Sequence, residues 1–318
     1  RELTAFPTTA QKWNYCGPAV LELVLRYFSF DANQDSIAAL VKREHGTPMV
    51  EIAEYLRSLG VVARRVEGTT ARLRAALDLG CPVIVQEEYS TSSHVAVLTG
   101  YDDALGVFIA QDPMRHQPMV KSFAFTESAG TMYGGGVVVV LGPEALAAER
   151  AAACAAAELV DARHLALVDE CSARRARAGA DGVEPLSPGE VIGRCDAALA
   201  LAPNFRLAHY MRLRALREQV QLRAGNAADA LRELALVRLR FGGEEWCRQL
   251  HADALVERGL YDEAFVEAFE AHRRDPHDEW NLQLMGETCW LAGDLAGAET
   301  HLLAALREGP DLRRAAEN

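Results

Sequence analysis

The sequence predicts an α+β domain over residues 1–142, followed by an all-α helical solenoid over residues 143–318. Three observations predict it. Residues 1–142 read as helices and then a set of apolar strands. At Pro143 the strand signals stop, and alanine, leucine, arginine and glutamate dominate. From about residue 211 onward, glycine, alanine and proline recur with a period of 34 residues.

In the first region, residues 19–28 (AVLELVLRYF) are apolar nearly all round and read as a buried helix. Gly17 and Pro18 stand just ahead of it, and proline is favoured in a first helical turn. Residues 36–44 and 49–59 read as amphipathic helices, the second ended by Gly60. Residues 61–66 form a strand candidate, and residues 71–79 a short helix ended by Gly80. Four apolar strands follow at 82–86, 94–101, 106–111 and 136–141, expected as a meander.

In the second region, residues 143–180 read as one long alanine-rich helix, and 177–190 (RAGADGVEPLSPGE) as a loop or linker. Gly225, Gly259 and Gly293 share the 34-residue period, as do Ala230, Ala264 and Ala298. Ala271 and Ala305 keep it, and so do Pro276 and Pro310. A fixed period of this length with helical patterning describes stacked helix-turn-helix units. The small residues allow close crossings, the glycine ends each first helix, and the proline turns the chain between units.

Composition bounds the function. Half of the residues are hydrophobic and a quarter charged, as in soluble globular chains. The net charge is −12. Residues 1–142 carry 12 basic against 15 acidic side chains, and residues 143–318 carry 21 against 30. Neither region offers a basic surface, so nucleic acid and anionic membrane are not expected partners. No apolar run has the length of a membrane helix. The seven cysteines are odd in number, scattered, and without a CxxC pair. That argues against a disulfide framework and a structural zinc site, and for a reducing, cytoplasmic setting. No metal or cofactor is expected, since the histidines at 209, 251, 272, 277 and 301 lack ligand spacing. No signal peptide is visible, and the start at Arg1 leaves open a segment removed ahead of it.

The chemistry-bearing residues lie in the first region. Cys16 stands at the mouth of the first helix, where free N–H groups and the helix dipole favour a thiolate. Position alone still favours a packing cysteine, and a nucleophile needs a base from elsewhere. His94 opens the strand HVAVLTGY after the polar run YSTSS, as an accessible base or as a surface histidine. The turn YDDALG joins two apolar strands, with its centre near residue 103. In a regular hairpin, residues whose numbers sum to 206 lie opposite each other, which sets His94 against Asp112. A bulge would shift this by one residue. Asp112 taken alone is an ordinary Asp-Pro strand end. Gln11, five residues before Cys16, could supply an amide donor that forms an oxyanion hole with the Cys16 N–H. Taken alone it is a solvated polar residue. Trp13 reads equally as a wall of the cleft or as core packing. Cys81 reads as buried packing, His116 as a loop residue, and residues 87–93 as a cleft edge or lid.

The blocks QKWNYCGPA, SSHVAVLTGYDD and VFIAQDP resemble the three motifs of C39-like peptidases, a branch of the papain-like cysteine proteases. The best-known members are the double-glycine leader peptidases of bacterial bacteriocin exporters. The resemblance covers about residues 5–142. It implies a papain-like fold with Cys16 as nucleophile, His94 as base, Asp112 as orienting carboxylate and Gln11 as oxyanion donor. Asn14 and Tyr15 depart from the acidic residue frequent before the family's cysteine. In the second region, GLYDEAFVEAFEAHRRDP and GDLAGAETHLLAALREGP resemble the second half of the tetratricopeptide repeat. Three repeats start near 211, 245 and 279, and a degenerate fourth ends at Pro203. Arg214 and Arg248 stand at the usual tryptophan position.

Three functions follow. The first is a cysteine peptidase acting on a peptide or protein, with the repeats recruiting or orienting the substrate or recruiting a protein partner. The second is an acyltransferase or peptide ligase using the same triad. The third is a non-catalytic interaction scaffold, which the intact triad counts against.

Overall fold

The computed structural model describes residues 1–43, 46–88, 93–115, 118–128, 136–177, 183–222, 225, 227–241, 245–273, 276 and 279–308. They fall into two compact units, one of Arg1–Glu88 and Ser93–Ala215, the other from Leu216 onward.

Among the described residues, six strands of the first unit form one sheet: β1 (Val61–Val66), β2 (Val83–Glu88), β3 (Ser93–Asp102), β4 (Val107–Gln111), β5 (Met119–Ser122) and β6 (Val137–Pro143). Their order is β1-β6-β2-β3-β4-β5, and every neighbouring pair is antiparallel. The last strand therefore does not extend the meander as expected. It crosses back and inserts between β1 and β2.

The apolar strands are apolar on both sides because both faces of the sheet are covered. Ile84, Val95, Val97, Val138 and Val140 face a core that includes α1 (Cys16–Tyr27), α2 (Gln34–Val41) and α3 (Met49–Ser58). Val83, Val85, Ala96, Leu98, Val137 and Val139 alternate with them and face a second core with α4 (Thr70–Asp78). Residues 119–122 and the helix α5 (Phe123–Ser128) were not legible in the sequence, being too short for any periodicity to register.

The alanine-rich stretch is two helices, α6 (Glu144–Ala156) and α7 (Arg163–Arg177), instead of one. Glu158 takes φ +55° at the break. The intervening chain is bound to β1. Arg65 N–H donates to Asp161 Oδ1 at 2.7 Å, Ala162 N–H to Arg65 O at 3.0 Å, and Arg64 Nη1 to Leu159 O at 2.8 Å. These bonds outweigh the helix propensity of the alanines. Helix α7 is then tied down by the buried Arg65–Asp169 pair (2.8 Å) and by Arg177 reaching Glu51 and Glu54 on α3. Helix α8 (Pro188–Leu201) opens with a capping box from Ser187 and Glu190. Its Cys195 and Ala198 pack with Leu165 and Val168 of α7 and with Phe205 and Ala208. The first unit thus runs on through Ala215, while Gly142/Pro143 marks the change from mixed to all-helical chain.

Helix α9 (Arg206–Gln221) leads to α10 (Ala227–Phe241), α11 (Glu245–Val256), α12 (Tyr261–His272), α13 (Glu279–Ala292) and α14 (Leu295–Glu308). Helices α10, α12 and α14 start 34 residues apart, and so do α11 and α13. Ala264, Ala271, Ala298 and Ala305 are buried between them. Gly259 and Gly293 end α11 and α13 at φ +72° and +87°, which only glycine adopts at no cost. The C-terminal region is therefore helical. No helix among the described residues is long and apolar enough to cross a membrane.

Candidate active site

The site starts from a turn. Tyr15 N–H bonds to Lys12 O at 3.1 Å, and Asn14 takes φ +56°, which asparagine tolerates better than most residues. This turn leaves Trp13 86% exposed, so it is not core packing. Helix α1 begins directly after, at Cys16, and no side chain caps its N-terminus. Its first N–H groups are therefore open to another acceptor. The half-buried Cys16 thiol takes that place, with hydrogen bonds from Gly17 N–H and from Val95 N–H at the start of β3. Gly17 is required by space. A Cβ there would run into the Thr47 side chain.

His94 lies next to the thiol and hydrogen-bonds to it. The imidazole is 5% exposed, and its Nε2 lies 2.7 Å from Asp112 Oδ1. That leaves Nδ1 for the thiol. Asp112 is buried as well, and its Oδ1 accepts the Met114 N–H at 2.8 Å in an Asx turn. The chain of contacts runs thiol, imidazole, carboxylate, backbone amide.

Electrostatics follow from these contacts. Burial opposes ionisation of Cys16, and the hydrogen bond and charge of His94 work against burial. The two backbone N–H groups add to this and hold the thiol below its ordinary value. Burial likewise opposes the imidazolium, and Asp112 and Cys16 together push His94 up to about 9. Burial disfavours the Asp112 carboxylate, yet His94, the Met114 N–H and the charge of Lys121 keep it below the usual range. The contacts therefore favour thiolate and imidazolium together. Such a pair can attack an acyl carbon and protonate a leaving group.

The hairpin places His94 and Asp112 together by a different register from the one expected. The ladder pairs Leu98 with Ala110 and, past an irregularity at Thr99, Tyr101 with Phe108. Its turn, residues 103–106, is centred later than residue 103. Continuing the ladder sets Asp112 beside Ala96, two residues along β3 from His94. The displacement is even, so both side chains stay on one face, as diagonal neighbours rather than directly opposite.

The main chain of Gln11 meets the segment just past Asp112. Its N–H bonds to Pro113 O at 2.9 Å, immediately past Asp112. Its Oε1 is buried without a hydrogen-bond partner. Cys81 is fully buried, as expected, and burial pushes its thiol up to about 12. His116 lies outside the described residues, as do residues 89–92 of the run before His94. The Val95 and Met114 amides were missed. The second was readable from the Asp-Pro-x pattern, in which an aspartate accepts an N–H two residues on.

The profile of the family described as the Peptidase_C39 like family matches residues 3–131. The matched stretch holds Gln11, Cys16, His94 and Asp112.

Solved structures similar to the chain include two peptidases. One is the peptidase domain of Streptococcus ComA, a bi-functional ABC transporter involved in a quorum sensing pathway. It is 23% identical, with a TM-score of 0.39, over 44% of this chain and 99% of that one. The other is a double glycine motif protease from an AMS/PCAT transporter in complex with the leader peptide. It is 18% identical, with a TM-score of 0.36, over 45% of this chain and 95% of that one. No curated protein matches the chain.

Proposed function

We propose that the N-terminal region is a C39-like cysteine peptidase that cleaves a peptide or protein. The observation that carries this is the unbroken contact of Cys16, His94 and Asp112 at the head of α1, with the thiol held below its ordinary pKa. The family match over residues 3–131 supports the same reading.

In this reading the Cys16 thiolate adds to the scissile carbonyl carbon. The electron pair of the C=O bond moves to oxygen, where the Cys16 N–H and the Gln11 amide receive it. As the tetrahedral centre collapses, His94 gives its proton to the departing amine and a thioester remains. Neutral His94 then takes a proton from water, the hydroxide displaces the thiolate, and the ion pair is restored. Asp112 accepts from His94 Nε2–H throughout and keeps Nδ1 turned to sulfur. In the same reading, the helices beyond Leu216 are tetratricopeptide-type repeats that recruit a protein partner to the peptidase.

Digestion of a complex peptide mixture tests this. Wild-type protein is expected to generate new termini by mass spectrometry, each product pair heavier by one water, and Cys16→Ala none. Products joined without water would mark acyl transfer. Identical peptide spectra for wild type and Cys16→Ala would reject both.

A further inference from the structure

The segment carrying Gln11 is held by one side chain that motif reading passes over. Gln34, the first residue of α2, bonds to the chain on both sides of Gln11. Its Oε1 accepts the Lys12 N–H at 3.0 Å, and its Nε2 donates to Ala10 O at 3.0 Å. The amide orientation is fixed by the partners, since Lys12 N–H can only donate and Ala10 O can only accept. Nε2 also reaches Glu22 Oε2 at 3.3 Å. Glu22 is buried on α1, paired with Arg26 at 2.6 Å and accepting from the Thr9 hydroxyl. Gln11 contributes its own N–H to Pro113 O. Its main chain is therefore tied to α2 through residues 10 and 12 and to the segment after Asp112 through itself. The anchor behind Gln34 is the same helix that starts with Cys16.

We propose that Gln34 is a positioning residue for acyl transfer. It fixes Gln11 in register with Cys16, so that the amide meets the developing oxyanion. The proposal rests on the peptidase reading and assigns Gln34 no contact with substrate. An oxyanion donor acts only where it is pre-aimed, and small misplacements are costly. Loss of Gln34 should therefore slow acylation and leave the thiolate itself untouched.

A double-mutant cycle reads this, using an N-acetylated amino-acid p-nitrophenyl ester and iodoacetamide as separate probes. Acylation by the ester develops an oxyanion and releases nitrophenolate, whereas alkylation of Cys16 does not develop one. Gln34→Met, which keeps the length and removes both polar atoms, should lower the acylation rate about 10- to 100-fold. Cys16 alkylation should stay within about twofold of wild type, which also shows that the fold is intact. In a Gln11→Ala background the same change should cost less than about twofold, because the group it positions is gone. Gln34→Glu serves as a second variant. It cannot donate to Ala10 O or Glu22 when ionised, and should lose as much as Gln34→Met. If Gln11→Ala lowers acylation and Gln34→Met does nothing, or costs the same factor in both backgrounds, the role of Gln34 is overturned and the peptidase reading stands. If Gln11→Ala leaves acylation unchanged, the oxyanion reading of Gln11 falls and takes the Gln34 proposal with it. If Cys16→Ala releases nitrophenolate as fast as wild type, the peptidase reading itself falls.

Discussion

Replacing Asp112 by asparagine should lower the His94 pKa while preserving its place. Against the effect of burial, Asp112 and Cys16 push His94 up to about 9 from an ordinary value of 6.5. The difference of about 2.5 units corresponds to roughly 3 kcal/mol in favour of the imidazolium. Burial alone would push the other way, so Asp112 and Cys16 supply more than this between them. The asparagine Oδ1 can still accept from Nε2–H, so the ring stays oriented, but the carboxylate charge is lost. The midpoint should fall by at least about one unit, roughly 1.4 kcal/mol. The assay is a pH titration of histidine ring resonances by NMR. Among the nine histidines, the resonance absent from His94→Gln assigns the site. The same shift sets a stability term. A raised histidine pKa stabilises the fold fully below 6.5 and loses that contribution as pH rises through about 9. The Cys16 thiol, held below its ordinary value, contributes with the opposite sign and gains as pH rises, so urea unfolding of wild type should show only the remainder of the His94 loss over that window. An unchanged His94 midpoint in Asp112→Asn would refute the charge argument.

At pH 6, iodoacetamide should modify Cys16 first among the seven cysteines of the native protein; Cys81, at about 12, and Cys171, at about 11, should stay unmodified in peptide mapping. Gly17→Ala should cost about 1–3 kcal/mol in urea unfolding, because its methyl group would meet Thr47, and Thr47→Gly should recover part of the loss. Asp169→Ala should cost about 3–5 kcal/mol by removing the carboxylate from the buried Arg65 guanidinium. A chain ending at Gly142 should accordingly unfold at lower urea than one ending at Ala215.

Sequence reading reached the elements whose pattern is long and local. Helices α1 to α4 and strands β1 to β4 were legible because apolar periodicity and glycine stops act within each segment. The contacts of His94 with Cys16 and with Asp112 were legible because a helix start and a hairpin impose geometry on nearby residues. The register was not, since turn residues 103–106 and the irregularity at Thr99 are settled by packing rather than by spacing. The crossing of β6 was not legible either, because nothing in VVVV names its neighbours. The division of α6 from α7 depended on bonds to β1, nearly a hundred residues away in sequence, which no window through the alanines contains. Gln34 escaped notice because its value lies in two backbone partners, and only the folded chain supplies those.

The insertion of β6 has a consequence for synthesis. β1 is complete at Val66 and β2 at Glu88, but the strand that belongs between them begins only at Val137. A chain leaving the ribosome therefore carries two apolar strands with unfilled pairing edges through most of its first domain. Cys16 and His94 have both emerged by then, yet the sheet beneath them still lacks the strand between β1 and β2. The pairing edges are filled, and the core under the helix that carries Cys16 is completed, only with residues 137–143. Arrested chains ending just before Val137 should bind holdase chaperones, and those extended past Pro143 should release them.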